Sequence, residues 1–199
     1  SRTDAGVHAL AQIANFHVAD DEAVEPEELQ KYINQYLPED IAVTGVVAAG
    51  ERFHSRLNAT GKTYEYHLIP YGTYDVFARK YAWQMTEPLD IEAMREAAGH
   101  VLGSHDFRSF CTKAAKKKST IRTIRLLEIY ETKNEIVIEI TGNGFLYNMV
   151  RILVGTLVEV GMGLRKADDI PTILEKKERR YAGETAPACG LFLKQIYYE

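Results

Sequence analysis

The sequence predicts an α+β fold, and three observations carry that expectation. Stretches with apolar residues at every second position alternate with stretches whose apolar residues recur three and four apart. Turn and stop residues, among them Pro38, Gly103 and Gly142-Asn143-Gly144, fall between these stretches. With 199 residues and 46% apolar content, the chain can bury one sizeable core or two small ones.

The first eight residues, Ser1-Arg2-Thr3-Asp4-Ala5-Gly6-Val7-His8, read as a tight loop. Asp4 can hydrogen-bond its own backbone, and Gly6 accepts a positive φ. Gln12 to Val18 alternates as a strand, with Ala14, Phe16 and Val18 on one face and Asn15 and His17 on the other. An acidic segment follows, with Pro26 suited to the first turn of a helix. Leu29, Tyr32, Ile33, Tyr36 and Leu37 then make one apolar helical stripe, which Pro38 stops. Ile41 to Ala48 reads as a second strand. Two strands and one helix make a poor core by themselves.

Beyond the connector Arg52 to Ala59, a strand places Tyr64, Tyr66 and Leu68 opposite Thr63, Glu65 and His67. Lys80 to Met85 is a further strand candidate. Asp90 can cap a helix carrying Ile91, Met94, Ala98, Val101 and Leu102, ended by Gly103. A basic loop from Arg108 to Arg122 leads to a strand over Ile124 to Glu131. Lys133-Asn134 links it to a strand with Ile136, Ile138 and Ile140 on one face. A strongly apolar helix runs from about Phe145 to Val160, a shorter one starts near Pro171, and Leu191 to Tyr198 closes as a strand. This order, β-α-β-β-α-β with an extra helix, is that of a split ferredoxin-like unit.

No apolar run reaches membrane-spanning length and no charged-then-apolar leader is present, so neither insertion nor export is expected. Cys111 and Cys189 lack His or Cys neighbours at metal-ligand spacing, which suits free thiols in a reducing cytoplasm. The net charge of −4 hides a strong asymmetry. Residues 108–125 hold seven basic side chains and no acid, whereas residues 19–28 hold six acids and no base. Such asymmetry allows a locally positive face on an acidic protein.

Three residues stand out chemically. Asp4 is an isolated carboxylate in a turn, and any Asp-x-Gly can be an ordinary polar turn. Arg151 interrupts an oily helix, sharing a stripe with Asn148, Gly155 and Glu159, so it must pair with an acid, pair locally with Glu159, or snorkel to solvent. Tyr64 is either a packing residue of its strand or an exposed ring for recognition.

The wording around these residues goes further. Arg2-Thr3-Asp4-Ala5-Gly6-Val7-His8-Ala9 resembles the signature of the tRNA pseudouridine synthase A family. Lys62-Thr63-Tyr64 resembles the family's basic-x-Tyr motif, and Gly142 to Arg151 with Gly155 resembles its third motif. Arg52-Phe53-x-x-Arg56-x-x-Ala59 and Ala186-Pro187-x-x-Gly190-Leu191-Phe192-Leu193 match two further segments. The resemblance spans Ser1 to Tyr198, with the motifs in the family's order.

The resemblance implies a pseudouridine synthase fold of two ferredoxin-like halves, here residues 1–58 and 59–199. The family opens with a strand, a helix and a second strand that this chain lacks ahead of Asp4, so the first half is expected to be incomplete at its N-terminus. It implies an isomerase that converts uridine to pseudouridine in the anticodon stem-loop of tRNA, at tRNA positions 38–40, with no metal and no cofactor. Asp4 is then the nucleophile, which must be ionised to attack C1′ or C6. Arg151 pairs with it, and Tyr64 stacks on the target base. Arg2 and Arg56 hold phosphates near the flipped nucleotide, and Lys116, Lys117 and Lys118 hold the RNA backbone further out. The enzyme is expected to be a cytoplasmic homodimer, one tRNA touching both subunits. A catalytically incomplete RNA-binding fragment is the alternative. An aspartate-based glycoside hydrolase is a weaker one, because no second carboxylate sits at a recognisable motif.

Overall fold

The computed structural model describes residues 2–19, 24–112 and 119–198. In chain order their strands and α-helices are β1 (His8–Ala9), α1 (Pro26–Asn34), β2 (Gly61–Ile69), β3 (Trp83–Gln84), α2 (Ile91–Gly99), β4 (Gly103–Asp106), β5 (Ile121–Glu131), β6 (Ile136–Gly142), α3 (Met149–Gly161), α4 (Asp169–Lys176) and β7 (Leu191–Tyr197). They divide into two compact units, Ser1–Gln12 with Ala59–Glu199, and Ile13–Asn58. The chain is thus a mixed α and β structure in which the first dozen residues join the larger unit. Among the described residues no helix is long and apolar enough to cross a membrane.

The larger unit is one mixed sheet in the order β1-β7-β2-β6-β5-β4, with β3 attached to the end of β2. The central pairings are antiparallel, while β1 runs parallel to β7. Register puts Tyr66 opposite Ile138 and Leu191, and Ile138 opposite Ile129. Paired residues share a face, so these alternating positions build one continuous apolar surface. Helices α2 and α3 cover it, and Tyr66, Leu68, Met94, Ile138, Ile140, Ile152 and Leu153 are buried there. At roughly 1.5–3 kcal/mol for each large apolar side chain buried, this surface dominates the stability of the unit.

Helix α2 starts where Asp90 accepts a hydrogen bond from the Ala93 N–H (3.0 Å), the expected N-cap. Helix α3 is buried on nearly every side, as its uniform apolarity requires. On the sheet's other face, Lys194 bridges Glu65 (2.7 Å) and Glu139 (2.8 Å). Those two hydrogen bonds hold the Lys194 ammonium charged well beyond its usual range.

The smaller unit has one helix and, among its described residues, no strand. Pro26 opens α1 as expected, but no α1 residue is buried. The strands expected over Gln12–Val18 and Ile41–Ala48 do not form. Alternation needs a partner ladder to become a strand. Val43 instead gives its N–H to Asn34 Oδ1 (2.7 Å), and its carbonyl accepts from the Asn34 and Gln30 side-chain amides.

Several boundaries also move within the larger unit. The helix expected to end at Gly103 stops at Gly99, and Gly103 begins β4 with φ +92°. The basic loop begins later than expected, since Arg108 belongs to a 3₁₀ turn over Phe107–Phe110. Of Lys80–Met85, only Trp83–Gln84 is a strand. Helix α3 begins at Met149 rather than Phe145, because Asn148 adopts a left-handed conformation with φ +60°. Asparagine is one of the few side chains that tolerates this region.

Candidate active site

The Asp4 loop is a tight turn in which the Asp4 carbonyl accepts from the Val7 N–H (3.1 Å). Gly6 has φ +78°, and a Cβ there would lie 3.3 Å from the Ala188 Cβ. Both facts favour glycine at this position. Asp4 itself is exposed. The loop is fixed behind Asp4 by His8, whose ring stacks on Phe192 at 4.7 Å and whose Nε2 donates to the Lys80 carbonyl (2.9 Å). His8 also belongs to β1, which hydrogen-bonds to β7, so the turn is attached to the sheet edge.

Tyr64 lies in β2 between Ile140 of β6 and Leu193 of β7. Its ring meets Phe145 edge-on at 5.3 Å. Burial, and then the Asp4 negative charge, push its phenol up to about 12. The Asp4 charge adds to burial in disfavouring a Tyr64 phenolate, and Tyr64 is a neutral phenol at physiological pH.

Arg151 lies in the first turn of α3. Its Nε donates to the Ala186 carbonyl (2.7 Å) and its Nη1 to Asn148 Oδ1 (3.2 Å), while the Ala186 N–H returns a bond to the Arg151 carbonyl (3.1 Å). The expected Asp4–Arg151 ion pair is not formed within 4.0 Å; the Ala186 carbonyl and Asn148 Oδ1 hold two of the guanidinium nitrogens instead. The local alternative also fails, since Glu159 pairs with Arg165.

Close packing explains why residues 182–190 can hold Arg151. A Cβ on Gly155 would lie 2.0 Å from the Glu184 carbonyl oxygen, and one on Gly190 would lie 2.7 Å from the Tyr66 ring. Thr156 Oγ1 accepts from the Gly183 N–H (2.9 Å), and Glu159 Oε1 accepts from the Glu184 N–H (2.8 Å). Tyr66, buried between these groups, donates its hydroxyl to the Pro187 carbonyl (2.7 Å), and burial pushes its phenol far up. The anchoring roles of Ala186, Pro187 and Tyr66 were not anticipated. Backbone carbonyl acceptors leave no side-chain signature, and only the small residues Gly155, Gly183 and Gly190 hint at close approach.

The remaining predicted residues belong to separate parts of the sequence. Arg2 is exposed, near Asp4 in sequence. Arg56 is exposed in the smaller unit, its backbone N–H donating to His54 Nδ1 (3.1 Å). Lys116, Lys117 and Lys118 lie outside the described residues.

Comparison with known proteins identifies the family of the chain. A family model described as tRNA pseudouridine synthase matches residues 97–199. A protein named tRNA pseudouridine synthase A 2 from Bacillus cereus is 46% identical over 198 residues, covering 100% of this chain and 80% of its own length. The protein of the same name from Clostridium tetani is 42% identical, covering 100% and 79%. A second Bacillus cereus protein, tRNA pseudouridine synthase A 1, is 44% identical and covers 99% and 79%. At that identity, over essentially the whole of its length, this chain belongs to the tRNA pseudouridine synthase family.

Proposed function

We propose that this chain isomerises uridine in tRNA to pseudouridine. The observation that carries the reading is an exposed carboxylate, Asp4, on a turn that β1 fastens to β7 of the sheet that holds Tyr64. The N1–C1′ bond of the uridine breaks, the uracil turns, and C5 joins C1′. The hydrogen on C5 leaves as a proton and N1 gains one, so no oxidant or reductant is consumed. The Asp4 carboxylate is the attacking group, at C1′ or C6. Tyr64 supplies a stacking face for a uracil taken out of its helix. At pH 7, with a pKa of about 12, only about one Tyr64 in 10⁵ is phenolate, so its hydroxyl serves chiefly as a donor.

Arg151 is assigned the orienting cation. Its Nε and Nη1 are occupied, and Nη2 makes no hydrogen bond among the described residues, which leaves that donor for a carboxylate or phosphate. Arg2 and Arg56 are assigned phosphate contacts, with Lys116, Lys117 and Lys118 on the outer RNA path. Uridines of the anticodon stem-loop are the proposed targets and a cytoplasmic homodimer the proposed assembly.

We also read the chain as two ferredoxin-like halves, residues 1–58 and 59–199. The sheet order β7-β2-β6-β5, with α2 and α3 on one face, supports this for the second half. A tritium-release assay on tRNA labelled at uracil C5 tests the function. Pseudouridine formation expels that label into water, and retention of the label throughout would end this reading.

A further inference from the structure

Between β2 and β3, residues 70–82 display an unusual set of side chains. Phe77 is 86% exposed and Tyr74 85%, and Tyr71, Val76 and Tyr81 are exposed beside them. Isolated exposed apolar residues are ordinary, but five large ones within eleven positions are not. Arg79 and Lys80 are exposed in the same stretch, and neither forms an ion pair with a carboxylate among the described residues. Its single acid, Asp75, is committed to the backbone, accepting from the N–H groups of Phe77 (2.9 Å) and Ala78 (3.0 Å).

The loop is also built. Thr73 N–H donates to the Pro70 carbonyl (3.1 Å), and Tyr81 N–H to the Ala78 carbonyl (2.7 Å). The Arg79 guanidinium closes on the Val76 carbonyl (2.7 Å). It is joined to the Asp4 turn as well, because His8 holds the Lys80 carbonyl and packs its ring 5.0 Å from that of Tyr81. A backbone ordered in advance lowers the entropy cost of using the rings it carries.

We propose that residues 71–81 are a stacking platform for unpaired nucleotides flanking the target uridine, a proposal that rests on the tRNA reading above. Phe77 and Tyr74 offer ring faces to bases, which accept stacking whatever their identity. Arg79 and Lys80 hold the adjoining phosphates. Interleaved rings and unpaired cations fit a strand that is itself alternately flat and anionic. A second copy of this chain would have to oppose those two cations, and it is the rival occupant.

The test uses the full chain with an unmodified tRNA transcript and measures affinity, single-turnover tritium release and sedimentation. Tyr74→Ala and Phe77→Ala should each weaken tRNA binding about tenfold, and together about a hundredfold. The single-turnover rate on saturating tRNA should stay within about threefold. Phe77→Trp should keep its affinity and show indole quenching when tRNA binds. Arg79→Ala with Lys80→Ala should lower the slope of log affinity against log salt by about 1.4.

These rings are exposed, so unchanged melting is expected and separates binding from folding. Undiminished affinity in the double alanine variant overturns the proposal, whether the loop proves merely solvated or the variant alters only the sedimenting mass, the mark of a second copy. A parent chain with no tRNA affinity also overturns it. If the ring variants weaken binding while the parent releases no tritium, the platform stands and the isomerase reading falls. Normal release with indifferent rings gives the converse.

Discussion

The two units contain the same kind of sequence and reach opposite outcomes. In the larger one, alternating residues of β2, β5, β6 and β7 meet across ladders and are covered by α2 and α3. In the smaller one, the stripe of α1 and the alternation around Phe16 are just as regular, yet Phe16, Tyr32, Tyr36, Ile41 and Val47 remain exposed. Periodicity states which face wants cover, and only a partner supplies it. Backbone polar groups follow the same rule. Those of β2 find neighbouring strands, whereas Val43 is satisfied by two side-chain amides.

The contrast is broken most severely at Gly155. With its virtual Cβ 2.0 Å from the Glu184 carbonyl, Gly155→Val must push residues 182–190 off α3. A loss of about 4 kcal/mol or more is expected, read as a shift in the urea midpoint. A near-normal midpoint would mean that the two segments separate easily.

Asp4→Asn is expected to lower turnover at least about 10³-fold, equivalent to ~4 kcal/mol in the barrier. Because Asp4 is exposed, the melting temperature should not move. Single-turnover tritium release beside a thermal melt checks both halves of that statement, and residual activity near one-tenth would reduce Asp4 to a turn residue.

Tyr64 gives a smaller, pH-dependent effect. Its phenol is raised from 10.0 to about 12 in the folded chain. The unfolded chain therefore loses its proton first as pH rises. Stability from this group is intact below pH 10 and is lost progressively up to about pH 12. Relative to Tyr64→Phe, the parent should lose about 1 kcal/mol between pH 9.5 and 11. Urea titrations of both proteins at the two pH values measure it, and a gain in place of a loss would contradict the burial of this ring.

The smallest change is expected in the smaller unit. Val47 is 85% exposed, so Val47→Ser should alter stability by no more than about 0.5 kcal/mol. A drop several times larger in the melt would show that the side chain has cover in solution.

Much of the larger unit was legible because its sequence names both a pattern and its terminator. Asp90 announced α2, Pro171 lies within α4, and the alternations of Tyr64-Tyr66-Leu68 and Ile136-Ile138-Ile140 became adjacent strands. The two strands expected near Phe16 and Val43 failed for want of a ladder, which no local pattern reveals. Asp4 and Tyr64 were singled out from wording, and the Asp4 charge adds to burial in raising the Tyr64 phenol. The direct Asp4–Arg151 pair was not found; the Ala186 carbonyl and Asn148 Oδ1 hold the guanidinium in its place. Ala186 competes for it with a backbone atom that every residue possesses.

The pairing of β1 with β7 has a consequence for synthesis. His8 lies beside Phe192, so the turn that carries Asp4 leaves the ribosome 184 positions before the strand that fixes it. At about 5–20 residues per second, the carboxylate waits roughly 10–40 s without its sheet. Throughout that interval the nascent chain holds the Asp4 turn with no edge to stand on. A translation product that stops short of Leu191 keeps the whole Asp4 signature and never mounts it, so the last strand acts as a completion check on the first turn.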